Sequence, residues 1–334
     1  MRAVQPFVDN GQRGGERGGP QTGDAPDPVA GPGEVLVTVH ASALNRADLL
    51  QMRGWYPPPD GESEIPGLEC AGVIEAVGPG VEGWNVGDPA MALLAGGGQA
   101  EKVSVPVGQL MSIPAGLSFI EAAALPEVAL TAWTNLVHEG GLEHGQTVAV
   151  VAAASGVGTF ACQLAKALGG RVLAVGRNLE RLRRLESLGA DLCLTLDAEL
   201  PARLKEATDG QGVDLVMDLA GGADVGRRLT AVRRGGRYVL VGVLAGTETT
   251  IDLGDVLRRR IRLQGSVLRA RSRAEKAELV AAFTAFAEGR FATGELRPVV
   301  DRVVSLEDVA SAYAAMADGG LFGKIILRTA SCPD

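Results

Sequence analysis

The chain has 334 residues, 46% of them hydrophobic and 22% charged, with a formal net charge of −8, a composition that describes a folded globular protein and sets two domains as the expectation. The acidic balance excludes a general nucleic-acid binder, because neutralising phosphates needs a basic surface. No apolar run approaches the roughly 20 residues a membrane helix needs, and residues 1–10 lack a signal peptide's basic and apolar regions, so no membrane partner is expected and the cytoplasm is the default location.

Residues 11–33 are rich in Gly, Pro and polar side chains and specify little; the run from Gly14 to Gly23 is not expected to hold a strand. Glu34-Val35-Leu36-Val37-Thr38-Val39 is the first clear strand. Short strands broken by glycine follow at 72–77 and 102–105, which marks a compact β-rich unit. Beyond Gly145 the texture changes to a strand at 147–152, an amphipathic helix at 156–168, a strand at 171–175 and a helix at 179–188, and this alternation predicts a parallel sheet. It continues with a strand at 213–218, a helix near 225–232, a strand at 237–241 and an apolar strand at 261–265. An amphipathic helix at 274–288 and a closing strand at 324–327 complete an α/β protein. Arg258, Arg259 and Arg260 read as a solvated loop. Cys70, Cys162, Cys193 and Cys332 share no CxxC spacing and read as buried small hydrophobes in a reducing compartment.

One turn carries chemistry. Ala152-Ala153-Ala154-Ser155-Gly156-Val157-Gly158 joins a buried strand to a helix whose Phe160, Ala161, Leu164, Ala165 and Leu168 share a face. Small residues let backbone N–H groups approach a pyrophosphate while the helix N-terminus adds about half a positive charge. The pattern departs from G-x-G-x-x-G, with Ala153 and Ser155 at the first two glycine positions and only Gly158 at the third. In an NAD enzyme an acid that reads the ribose stands about 20 residues on. Here the strand ends Gly176-Arg177-Asn178, so an adenosine 2′-phosphate would meet Arg177 and, a helical turn later, Arg181; this points to NADPH. The alternative reading of both arginines is ordinary surface charge.

With those residues in place, Asn45-Arg46-Ala47-Asp48, Tyr56-Pro57-Pro58-Pro59, Gly67-Leu68-Glu69-Cys70-Ala71-Gly72, Gly96-Gly97-Gly98-Gln99-Ala100, Leu130-Thr131-Ala132, Leu268-Arg269-Ala270-Arg271-Ser272 and Gly323-Lys324-Ile325 occur in order. The chain resembles the zinc-independent medium-chain dehydrogenase/reductase superfamily, in its quinone oxidoreductase (zeta-crystallin-like) branch, and within that the tumour-suppressor-induced quinone oxidoreductases. The resemblance covers roughly residues 31–328. It implies a GroES-like β-rich catalytic domain from residues 1–122 and 266–334 around a Rossmann NADPH-binding domain of doubly wound parallel sheet at 123–265. It also implies roles: Asn45 and Thr131 near the nicotinamide; Ser155, Gly156, Val157 and Gly158 at the pyrophosphate; Lys324 at the cofactor phosphates. Gly242-Val243-Leu244 would run along the nicotinamide ribose, and Tyr56 and Arg271 would line the substrate pocket. Read without that framework, Asn45 and Asp48 are a turn or helix cap and Tyr56 is a core aromatic. Leu50 stands where some bacterial relatives have a tyrosine.

Zinc-dependent relatives place a Cys before the x-x-Asp motif and a His within Gly-His-Glu, because Zn²⁺ needs such ligands. Asn45 and Leu68 stand there instead, and His40, His138 and His144 are scattered, so no metal site is expected. Without a Lewis acid, hydride transfer to an electrophilic quinone or activated enone is the chemistry expected, with Asn45, Tyr56 and Thr131 positioning it and Glu127 and Tyr56 as proton relays. Two alternatives stay open: an NADPH-dependent enoyl or alkenal double-bond reductase, and a non-catalytic NADPH-binding protein. The apolar last strand of the sheet predicts a homodimer, and the neighbouring arginines that block further pairing are the competing explanation.

Overall fold

The computed structural model describes residues 1–5 and 19–333. The chain divides into two compact units: Met1–Glu127 with Arg269–Ala292 and Pro298–Asp334, and Val128–Leu268 with Thr293–Arg297. The division falls after Glu127 and Leu268, rather than after residues 122 and 265. Residues 293–297 join the second unit because Gln163 brackets Arg297, donating to its carbonyl at 3.1 Å and accepting from its N–H at 2.9 Å.

The first unit opens with β1 (Arg2–Val4), β2 (Thr22–Asp24), β3 (Glu34–Ala43), α1 (Arg46–Met52), β4 (Glu69–Val77), β5 (Pro89–Leu93), β6 (Lys102–Pro106), β7 (Leu110–Ser112), α2 (Phe119–Ala122) and the start of α3 (Pro126–Trp133). The second unit runs β8 (Thr147–Val151), α4 (Gly156–Ala167), β9 (Arg171–Gly176), α5 (Leu179–Arg183), β10 (Leu192–Thr195), α6 (Leu200–Glu206), β11 (Val213–Asp218), α7 (Val225–Leu229), β12 (Val232–Leu240), α8 (Leu253–Arg259) and β13 (Arg262–Gly265). The chain then returns to the first unit through α9 (Arg273–Ala287), β14 (Val300–Ser305), α10 (Val309–Asp318) and β15 (Lys324–Arg328).

In the first unit a mixed sheet runs β14-β15-β3-β4-β5-β7, with β6 also paired to β3. Val35, Val37 and Val39 pack with Cys70, Ile74, Val103 and Val105 on one face. Each such side chain contributes roughly 1.5–3 kcal/mol on full burial. The second unit is a parallel sheet in the order β10-β9-β8-β11-β12-β13. All five residues of β8 are buried, as a central strand covered on both faces requires. The chain winds outward from β8 to β10, then crosses back to β11. That reversal makes the carboxyl ends of β8 and β11 the switch point where such sheets bind ligands. The architecture is the expected α/β class, with a doubly wound Rossmann sheet.

Several expectations need correction. β2 lies partly inside the Gly14–Gly23 run, whose glycines argue against a strand. It pairs antiparallel with β1, and the Arg2 guanidinium, which donates to Thr22 Oγ1 at 2.8 Å and to Glu307, supplies what the sequence lacks in propensity. The part of that run up to Gly18 lies outside the described residues. The helix expected at 179–188 breaks after Arg183 into a 3₁₀ turn, Glu186–Leu188, closed by Gly189 at φ 95°. Arg258 and Arg259 end a helix rather than forming a solvated loop, with Arg260 as its left-handed cap. Arg259 is held by Asp255 and by the carbonyls of Leu229, Thr230 and Val232. Cys193 and Cys332 are only half-buried, whereas Cys70 and Cys162 are buried, and all four are free thiols. Among the described residues no helix is long and apolar enough to cross a membrane.

Candidate active site

In the second unit the chain leaves β8 through a tight turn. Ala152 takes a left-handed conformation at φ 62°. Ser155 then caps α4: its Oγ accepts from Gly158 N–H at 3.1 Å and donates to the Ala152 carbonyl at 2.8 Å. A Cβ at 158 would lie 2.6 Å from Ala152 O, Ala153 Cα and Ala153 O, so glycine is required there. Gly156, Val157 and Gly158 thus open a helix whose first N–H groups lack intrahelical acceptors, the arrangement that receives a phosphate. β9 ends at Gly176, which is buried; Arg177 beyond it is exposed and Arg181 is half-buried. Asn178 Oδ1 accepts from the Arg181 N–H at 2.8 Å and caps α5. Neither arginine makes an ion pair within the described residues.

Gly242, Val243 and Leu244 follow β12, with both apolar side chains exposed. Their loop rests on a turn that sequence reasoning missed. Asp218, fully buried at the end of β11, accepts from Ala220 N–H at 2.8 Å, from Gly221 N–H at 3.1 Å, from Arg228 Nη2 at 2.7 Å and from the Tyr238 hydroxyl. Arg228 Nη2 also donates to Gly221 O at 2.7 Å, and Ala245 N–H donates to Ala220 O at 2.9 Å, so the network carries the loop. A Cβ on Gly242 would sit 2.6 Å from Leu219 O. Thr131 lies on α3 in this unit, buried, its carbonyl accepting from Asn135 Nδ2 at 2.7 Å just before a π-helical turn at Thr134–His138. Such turns recur at functional sites.

The first unit holds a second cluster. Asn45 precedes α1, and its carboxamide is not spent on capping: Nδ2 donates to Glu69 Oε1 at 2.9 Å, and Oδ1 accepts from Lys324 Nζ at 2.6 Å. Lys324 Nζ is 2.7 Å from Glu69 Oε1 and donates to Leu44 O at 2.8 Å; the side chains of Lys324 and Glu69 are 4% and 0% exposed. Lys324 thus has each of its three N–H groups on a buried acceptor. Leaving one member of such a pair uncompensated costs about 3–5 kcal/mol. Asp48, fully buried, accepts from Asn45 N–H at 2.7 Å and Gly67 N–H at 3.1 Å. Burial pushes its carboxyl up to about 6, against the pull of those two donors.

Tyr56 is half-buried, and the Arg269 guanidinium lies 5.3 Å from its ring centroid. Arg269, itself buried, donates to Ala95 O at 2.7 Å, Gln51 Oε1 at 2.6 Å and Tyr56 O at 3.1 Å. Burial raises the Tyr56 hydroxyl's pKa, opposed by the Arg269 charge, so it remains a donor at neutral pH. Arg271, the expected pocket residue, stands 3.8 Å from Glu275. Arg269 is the arginine on Tyr56, and Leu268-Arg269-Ala270-Arg271 carried the signal without saying which of its arginines turns inward. Glu69, Arg269 and Lys276, whose pKa burial lowers, are further buried charged residues of this unit that the sequence did not mark as site candidates.

A doubly wound sheet with a glycine-demanding turn at its switch point, together with a β-rich unit that holds a buried polar cluster, defines an NAD(P)-dependent oxidoreductase. Residues 31–115 match the family model of the alcohol dehydrogenase GroES-like domain, and residues 156–285 match that of zinc-binding dehydrogenase. The chain is 30% identical to the quinone oxidoreductase-like protein 2 homolog of Nematostella vectensis, over 90% of this chain and 82% of that protein. It is 28% identical to the acryloyl-coenzyme A reductase of Sulfurisphaera tokodaii, over 93% and 98%. The crystal structure of the quinone oxidoreductase from Thermus thermophilus, also solved with NADPH, superposes with a TM-score of 0.81 at 36% identity, covering 98% of this chain and 100% of that one. The chain belongs to the medium-chain dehydrogenase/reductase family.

Proposed function

We propose that this protein is a zinc-independent, NADPH-dependent reductase whose acceptor is a quinone. The observation that carries the reading is the pairing of two features: arginines 177 and 181 with no acid at the end of β9, and an internal ammonium in place of a metal. Bound NADPH supplies the hydride. Backbone N–H groups of Gly156 and Val157, at the turn that Gly158 makes possible, would hold the pyrophosphate, and Val243 and Leu244 would border the nicotinamide ribose. Asn45 and the Tyr56 hydroxyl donate to the acceptor's carbonyl oxygen as negative charge grows there, and Thr131 orients the nicotinamide. The zinc-free reading has chemical support: Asn45 Oδ1 already holds a cation, Leu68 is buried hydrocarbon, and among the described residues no group of three His, Cys, Asp or Glu could hold a metal. These residues do not fit zinc.

The test is an acceptor panel under stopped-flow NADPH oxidation, with and without a strong chelator. Quinones should exceed 2-enals and enoyl thioesters in kcat/KM, and chelation should leave the rate intact. The reverse order would transfer the proposal to an enoyl or alkenal double-bond reductase, a reading the acryloyl-coenzyme A reductase relative favours. Binding of NADPH with turnover of no acceptor would leave a cofactor-binding protein, and activity lost to chelation and restored by zinc would refute the metal-free chemistry.

We further propose a homodimer through the edge of the Rossmann sheet. β13 ends the sheet with all four residues exposed, and Ile261, expected within the strand, is buried just before it. Leu253 and Leu257, one turn apart on α8, are 76% and 78% exposed, and Leu263 and Val267 are exposed too. An unpaired edge beside an apolar face is a surface that a two-fold axis can cover. Light scattering at micromolar concentration should give a dimer that Leu253→Glu with Leu257→Glu splits; a wild-type monomer would refute it.

A further inference from the structure

We propose that Glu69 and Lys324 are positioning residues that lock the Asn45 carboxamide as a hydrogen-bond donor toward a carbonyl oxygen of the bound cofactor or acceptor. The two ends of a carboxamide are nearly the same shape, so its orientation is decided by what faces it. An ammonium has only donors and a carboxylate only acceptors. Lys324 Nζ at 2.6 Å must therefore face Oδ1, and Glu69 Oε1 at 2.9 Å must face Nδ2. A flipped amide would set NH₂ against ammonium and C=O against carboxylate, two repulsive contacts in a buried site where water screens neither.

The lock is itself braced. Glu69 Oε2 accepts from the Glu127 N–H at 2.9 Å, and the Glu69 carbonyl accepts from Ser42 Oγ at 2.8 Å. Asn45, Glu69, Glu127 and Lys324 each stand at the beginning of an element, α1, β4, α3 and β15, so parts of the chain distant in sequence agree on one amide orientation. The second Nδ2 hydrogen has only the Ala43 carbonyl, at the long distance of 3.4 Å. That hydrogen is the one a ligand oxygen can recruit. The ion pair thus acts through Asn45, touching no ligand itself. The ligand contact rests on the reductase reading above, whereas the lock does not.

The experiment uses full-length ¹⁵N-labelled protein and follows the Asn45 side-chain NH₂ signals, assigned by their loss in Asn45→Asp. In Glu69→Gln/Lys324→Met, which removes both charges together, we expect a folded protein whose Asn45 amide protons exchange about tenfold faster or more than in the wild type. NADPH affinity should stay within about threefold, while kcat for a 1,4-naphthoquinone falls about tenfold with KM little changed. Glu69→Gln/Lys324→Gln, which also removes both charges together, gives the same readout should the methionine variant not fold. Wild-type amide protection in these variants would overturn the proposal. So would a loss of NADPH affinity with the amide signals unchanged, which would return Lys324 to the cofactor phosphates. If the wild type reduces no acceptor, the reductase reading fails while the amide exchange still decides the lock.

Discussion

Replacing Arg177 and Arg181 together by alanine is expected to weaken NADPH binding by about two orders of magnitude or more and to leave NADH affinity within about threefold. β9 ends at Gly176, which is buried, and Arg177 just beyond it is exposed, where the proposed reading puts the adenosine end of the cofactor. Asn178 then caps α5, which fixes Arg181 one turn along the same helix. Neither guanidinium has an ion-pair partner within the described residues, so a phosphate would not compete with an internal carboxylate. A hydrogen bond between charged groups contributes about 1.5–3 kcal/mol, and two such residues account for the size of the effect. NADH offers a hydroxyl in place of the 2′-phosphate, and no acid stands there to receive it. Isothermal titration of both cofactors against wild type and variant measures the difference. Equal wild-type affinities, or a preference unchanged in the variant, would mean that these arginines are surface charge.

The Rossmann half was legible because its signals are local. β8 and β9 are continuous apolar runs, α4 has one apolar face, and the turn between β8 and α4 is built of small residues. Short elements of the same sheet, such as β10, carried too little pattern to announce themselves. In the first unit the strand β3 was plain, yet β1 and β2 were not, since Arg2 and Glu307 from opposite ends of the chain hold them together. Long-range charge explains the partners that these residues find in the fold too. Lys324 as a sequence letter is a cation near the end of the chain, and only the folded sheet shows it closing on Glu69 and Asn45. Two arginines two residues apart, Arg269 and Arg271, are indistinguishable by composition, and only the fold shows that Arg269 is the one buried against Tyr56. The buried network of Asp218, Arg228 and Tyr238 was invisible because none of its members lies in a motif.

Gly158→Ala is expected to remove NADPH and NADH binding alike, by about a hundredfold or more, and to lower the melting temperature by several degrees. The three atoms that an added Cβ would meet at 2.6 Å are all backbone, belonging to Ala152 and Ala153, so no side-chain rotation relieves the clash. Ala152 already sits at φ 62°, a conformation a residue with a Cβ adopts only at a cost, and Ala153 N–H is bonded to Val175 O at 3.0 Å. The turn cannot retreat toward the sheet without breaking that bond. The remaining escape is for α4 to move away from β8, which would carry the N–H groups of Gly156 and Val157 off the pyrophosphate. Both cofactors share the pyrophosphate, so both should be lost, in contrast to the selective loss at Arg177 and Arg181. Ser155→Ala is the control: it removes the cap on Gly158 N–H, costs about 1 kcal/mol of stability, and should weaken binding only modestly. Calorimetric titration of both cofactors, with thermal unfolding of each variant, separates the cases. A Gly158→Ala protein that binds normally would show that the turn has room to yield, and one that loses NADPH alone would move the pyrophosphate away from α4.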